Sequence, residues 1–238
     1  MALSRTAPLL ALAVALAACT APEPVDDRFE ATGELIALSG GDAGAEGACV
    51  TCHGLRGEGD GVLVPRLAGL DPGYFARQME FFARGQRRHP QMSWIAEQMD
   101  WPARQRLADY YAGLPMPAEA AASVEDCAAA YLYLHGDPER GIEPCAACHG
   151  TGGEGAGRGN PPLAGQPAPY LAAQLRAWRS GERYGDPLGA MTHVSRLLAE
   201  PEVDRLAGYS SALPGASANP ALPATCLRER RSDPRSGA

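Results

Sequence analysis

Cys49-Val50-Thr51-Cys52-His53 and Cys145-Ala146-Ala147-Cys148-His149 each set two thiols three positions apart, with an imidazole directly after the second. Thiols at that spacing reach the two vinyl groups of one porphyrin and form thioethers. The adjacent His then falls beneath the iron, and Cys-x-x-Cys-His is the attachment signature of c-type haem. The competing chemistries are a redox dithiol and half of a zinc site. Tetrahedral zinc takes four ligands; each motif offers two thiols and one imidazole, so the doubled set does not divide into a usual zinc site. Cys49, Cys52, Cys145 and Cys148 are therefore expected to hold two covalently attached haem c groups, with His53 and His149 on the irons.

The opposite face of each iron needs a ligand or stays open. Met92 lies 39 residues after His53, and Met191 lies 42 after His149. A thioether is a soft ligand that raises the reduction potential relative to a second His. His89 and His193 are rivals, but they flank the two Met on opposite sides and so are not equivalent. His135 has no counterpart and reads as a helix-end residue. Met79 and Met99 lack counterparts too and read as core. The expected metal ligands are His53, Met92, His149 and Met191, with the Met in a loop before each closing helix.

The elements that must position these groups are duplicated. The offset of 96 between the motifs continues through Leu67-Ala68-Gly69 and Leu163-Ala164-Gly165, Tyr74 and Tyr170, Gln78 and Gln174, and Arg87 and Arg183. From Met92 and Met191 it becomes 99, up to Leu114-Pro115 and Leu213-Pro214. A register held that long is an internal duplication. Domains are expected at 30–115 and 123–214, joined by a linker at 116–122. Each half reads as helical: Gly33–Leu38 and Val124–Leu134 before the motifs, Tyr74–Arg84 and Tyr170–Ser180 after them, and Pro102–Ala112 and Pro201–Ala212 at the close. No alternating strand pattern appears, so the fold is expected to be all-α. A domain of about 90 residues is marginal for its own core; a bound porphyrin supplies an apolar plate to fold around.

Of the 238 residues, 21 are basic, all of them Arg, against 28 acidic ones, for a formal charge of −7. Each half carries about −4. That balance excludes nucleic acid as a partner, since phosphate binding wants a basic face. Residues 1–18 read as a lipoprotein-type signal: Arg5, an apolar run, then Leu16-Ala17-Ala18 before Cys19, the expected lipidation site, with ordinary secretory cleavage as the alternative. Residues 19–29 read as a tether and 215–238 as a disordered tail. Seven Cys less four for haem and Cys19 leave Cys127 and Cys226, which in an oxidising compartment are candidates for a disulfide; free thiols or an intermolecular bridge are the alternatives. Trp94, Trp101, Trp178, Tyr74 and Tyr170 are expected to pack around the porphyrins. Arg87 and Arg183 either pair with haem propionates or cap solvated helix ends.

On both Cys-x-x-Cys-His-Gly motifs, both Leu-Ala-Gly segments, Met92, Met191 and the Tyr-containing closing helices, residues 30–214 resemble the cytochrome c4 family, and each half resembles a class I cytochrome c. The resemblance implies two tandem cytochrome c-like domains related by pseudo-twofold symmetry, propionates facing the interface, His/Met ligation at both irons, and electron transfer to respiratory oxidases. The chain departs from the family in the expected lipid anchor, the C-terminal tail and the absence of Lys. The expected role is single-electron transfer in the periplasm, at a membrane held through Cys19. Expected partners are a quinol-oxidising complex, a dehydrogenase or a terminal oxidase. A cytochrome subunit of a membrane-associated dehydrogenase complex is the alternative, and a two-haem peroxidase a further one.

Overall fold

In the computed structural model, residues 31–116, 126–186, 188–217, 222 and 226 are described. The expected leader, Cys19, the tether and nearly all of the linker and tail lie outside them.

The first half holds α1 (Gly33–Ser39), α2 (Val50–His53), α3 (Pro72–Ala83), α4 (Pro90–Glu97) and α5 (Trp101–Gly113). The second repeats the set as α6 (Cys127–His135), α7 (Ala146–His149), α8 (Ala168–Ser180), α9 (Ala190–Leu197) and α10 (Glu200–Ser211). Short polar side chains start several of these helices by accepting an otherwise unpaired first-turn N–H. Asp71 caps α3 at the Tyr74 nitrogen (2.8 Å), Asp100 caps α5 at Ala103 (2.8 Å), and Asp126 caps α6 at Ala129 (2.9 Å). Proline sits in the first turn of α3, α4, α5, α8 and α10, where it gives up no hydrogen bond. Among the described residues there are no strands, only isolated bridges at Arg87–Arg183 and Asp137–Ile142.

Two elements differ from expectation. Met92 and Met191 lie in the first turns of α4 and α9, not in loops. His89 caps α4, its Nδ1 accepting the Met92 N–H at 3.3 Å, and Pro90 follows it, so the chain turns helical before the Met rather than after it. Trp94 and Trp101 are 42% and 48% exposed on the polypeptide alone.

Each half has its own apolar core. The first gathers Ile36, Phe75, Met79, Leu107 and Tyr111; the second gathers Leu132, Tyr133, Leu171, Val203 and Leu206. The cores conserve volume rather than identity. Tyr111 on α5 fills the first, where α1 carries Ala37, whereas in the second the tyrosine is on α6, as Tyr133, and the closing helix carries Ser210. In the first half α1 lies close on α5: a Cβ on Gly33 would stand 2.0 Å from the Arg106 carbonyl oxygen. Cys127 and Cys226 form a disulfide (S–S 2.02 Å, Cα–Cα 5.1 Å) that ties α6 to the chain beyond α10.

Candidate haem sites and the interface between them

Each Cys-x-x-Cys-His run forms a single helical turn, with the His N–H bonded to the first Cys carbonyl at 2.9 Å in both halves. Gly54 (φ 79°) and Gly150 (φ 81°) follow in the left-handed region, which glycine adopts without the penalty of a Cβ. The reversal lets the next loop come back under the histidine. There Pro65 O accepts from His53 Nδ1 at 2.9 Å, and Pro161 O accepts from His149 Nδ1 at 2.9 Å. A hydrogen bond at Nδ1 fixes the tautomer and leaves Nε2 unprotonated, the arrangement a metal-ligating imidazole uses. Burial lowers the pKa of both rings, which keeps them neutral; both are under a tenth exposed. Burial also raises the Cys49 thiol and pushes Cys145 up to about 11.

Cys49 and Met92 pack against the same first core, and Cys145 against the second. Met191 is half-buried at the start of α9, outside that cluster. His89 is engaged as the α4 cap, and its charge also bears on His53. His193 and His135 are exposed, and the His135 ring lies 4.8 Å from that of Tyr131.

Between the halves the repeat becomes reciprocal. Arg87 donates to its own Gln78 Oε1 (2.8 Å) and across to the Tyr170 hydroxyl (2.9 Å) and Gln174 (2.8 Å). Arg183 donates to its own Gln174 (2.8 Å) and across to the Tyr74 hydroxyl (2.8 Å) and Gln78 (3.3 Å). The Arg87 guanidinium stands 4.5 Å over Phe82, and that of Arg183 stands 3.8 Å over Trp178. Such exchange is what a twofold relation produces. Both arginines are buried, so the solvated-helix-end reading does not hold. Burial, then the nearby Arg87 charge, lowers the pKa of Arg183; the pair meets no carboxylate among the described residues. Burial raises the Tyr170 hydroxyl, but the two guanidiniums outweigh it and hold the group below its ordinary value. The repeat had marked Tyr74, Gln78, Arg87 and their partners, though not that they meet across the interface. Two buried cations without an acidic partner among the described residues, in a chain that also buries two imidazoles with a free Nε2, fit a pair of porphyrins carrying propionates.

These features define a protein of two tandem cytochrome c domains. The family model for cytochrome c matches residues 143–209. The thiosulfate dehydrogenase electron acceptor of Stutzerimonas stutzeri is 42% identical over 183 residues, 75% of this chain and 85% of the relative. Cytochrome c4 of Thiocapsa roseopersicina is 34% identical over 73% of this chain and 91% of the relative. Among solved structures, reduced cytochrome c4 from Pseudomonas stutzeri aligns with TM-score 0.66 and 26% identity, covering 69% of this chain and 93% of that one. Thiosulfate dehydrogenase (TsdBA) from Marichromatium purpuratum aligns with TM-score 0.66 and 41% identity, covering 86% of this chain; the match spans about half (48%) of that longer chain.

The chain belongs to the two-haem cytochromes of the cytochrome c4 family. It carries covalently bound haem c, and its function is electron transfer rather than turnover of a substrate.

Proposed function

We propose that Cys49 and Cys52 hold one haem and Cys145 and Cys148 the other, with His53 and Met92, and His149 and Met191, as the axial pairs. The observation that carries this reading is the doubled arrangement of motif, buried imidazole and proline carbonyl, with a Met 39 or 42 residues further on. The group supplies a one-electron ferric–ferrous couple. The protein's part is to bury the imidazole neutral, hold its tautomer through Pro65 or Pro161, and keep water from the iron. Two protein ligands leave no position for a substrate. The domains so formed are 30–115 and 123–214, and Arg87 and Arg183 face the propionates as counter-charges.

The partner this reading favours is a dehydrogenase. Two relatives, 42% and 39% identical, are thiosulfate dehydrogenase electron acceptors. The chain is taken to accept electrons in the periplasm from an enzyme of that kind and to pass them to a respiratory acceptor, held at a membrane through lipidated Cys19. Among the described residues no helix is long and apolar enough to cross a membrane. Ferric protein mixed anaerobically with thiosulfate dehydrogenase and thiosulfate is expected to take up two electrons per chain. Without the enzyme it is expected to stay oxidised. No reduction in the complete mixture would remove the dehydrogenase from the partner list. Detergent phase partitioning of the wild-type chain and Cys19→Ala tests the anchor, the variant being expected in the aqueous phase.

A further inference from the structure

The twofold pattern breaks at one place beside the histidines. The Pro65 carbonyl that holds His53 belongs to the Pro65–Arg66 peptide. The N–H of that same peptide donates to Gln166 Oε1 at 3.1 Å, and Gln166 Nε2 donates to the Arg66 carbonyl at 2.9 Å. Gln166 lies in the other half, 100 positions on, and is 4% exposed; Arg66 is 1% exposed. The Arg66 guanidinium strengthens the same seam, donating to Ala68 O and across to Ala164 O at 2.8 Å. In the repeat, Arg66 corresponds to Pro162 and Gln166 to Leu70. The Pro161–Pro162 peptide that holds His149 has no N–H to give, and Leu70 has nothing to receive one.

We infer that Gln166 is a positioning residue for the first haem: through the Pro65–Arg66 peptide it sets the electron donation of His53, and it has no counterpart acting on His149. This rests on His53 being an axial ligand. The physical argument is short. A peptide whose N–H is accepted by a partner carries more negative charge on its own oxygen, so hydrogen bonds in series reinforce one another. A stronger acceptor at Nδ1 makes the imidazole more basic toward iron. A more basic ligand favours the ferric state. Gln166 therefore holds the first haem's potential down, and an element of the second domain adjusts a centre in the first.

Gln166→Met keeps the length of the side chain and removes both bonds. In a redox titration with the NMR signals of each haem resolved, the reduction equilibrium constant of the haem at Cys49–His53 is expected to rise two- to tenfold, where tenfold is about 59 mV for a one-electron couple. That of the haem at Cys145–His149 is expected to stay put. A shift of the second haem, alone or with the first, or no shift of either, overturns the proposal. Should the variant not fold, the unsubstituted ferrous protein gives the answer. A scalar coupling between the Arg66 amide nitrogen and the Gln166 carboxamide carbon is expected across the hydrogen bond, and its absence overturns the proposal. If His53 were not a ligand, the unsubstituted protein would lack two low-spin haem spectra, an outcome distinct from either result above.

Discussion

An imidazole that donates Nδ1–H to a carbonyl can offer only Nε2, so the two proline carbonyls decide how His53 and His149 approach an iron. The second axial ligand has no such signature. Met92 and Met191 are singled out by their place in the repeat and by a shared helix start. Each of Met92→Ala and Met191→Ala is expected to remove about half of the weak sulfur-to-iron charge-transfer absorption of the ferric protein, and the double variant all of it. His89→Ala should leave the band intact, since that ring caps α4 (Met92 N at 3.3 Å). A band that survives the double variant would exclude thioether ligation. At this scale the sequence is most legible where chemistry fixes local spacing, as in Cys-x-x-Cys-His. It is least legible at Arg66 and Gln166. They meet over a separation of 100 residues, and each stands where the repeat fails, so the comparison that exposed the other pairs passed over them.

Helices were legible where a cap or an apolar stripe marks them. Phe75, Met79 and Phe82 recur at i, i+4 and i+7 and mark α3 as a helix with an apolar face, and Asp71 moves its start back to Pro72. The four-residue turns Val50–His53 and Ala146–His149 are too short for any periodicity to show. The close approach of α1 to α5 at Gly33 is a tertiary fact that a lone glycine does not announce. Its counterpart in the repeat is Ala129, so the second half has room for the Cβ that the first does not. Gly33→Ala would drive a methyl against the Arg106 carbonyl, at 2.0 Å before any relaxation, and against Tyr110 Cβ at 2.7 Å. Overpacking of this kind costs about 1–3 kcal/mol. The cost should appear as a lower denaturant midpoint with an unchanged slope. Ala129→Gly should lose less, about 0.5–1 kcal/mol, since it only loosens a helix. Equal losses at the two sites would mean that the spacing of α1 and α5 adapts freely.

The two halves share a topology and an interface but not a surface. That interface was half legible: Tyr74, Gln78, Arg87 and their partners recur, yet only the fold shows each arginine reaching into the opposite half. The ion pairs fall unevenly. In the second half Arg205 meets Asp126 at 2.6 Å, Arg140 meets Asp137 at 2.6 Å and Glu202 at 2.8 Å, and Arg176 meets Glu200 at 2.5 Å and Asp204 at 2.7 Å. Hydrogen bonds from these arginines hold the carboxyls of Asp126, Asp137, Glu200 and Glu202 below their ordinary pKa. Among the described residues of the first half one carboxyl is lowered, Asp60, through loop N–H groups beginning with Val62. A carboxyl that is more acidic folded than unfolded adds stability above its unfolded pKa, about 3.9 for Asp and 4.3 for Glu. That stability is lost as pH falls through the lower folded value. The two buried histidines act alike on both halves and cannot tell them apart. Acidification from pH 6 toward pH 3 should therefore loosen α6, α8 and α10 before α1, α3 and α5. The three tryptophans report on this separately: the Trp178 indole NMR signal should lose dispersion at a higher pH than those of Trp94 and Trp101. If all three collapse together, or the first half goes first, the arginine–carboxylate pairs add nothing that distinguishes the domains.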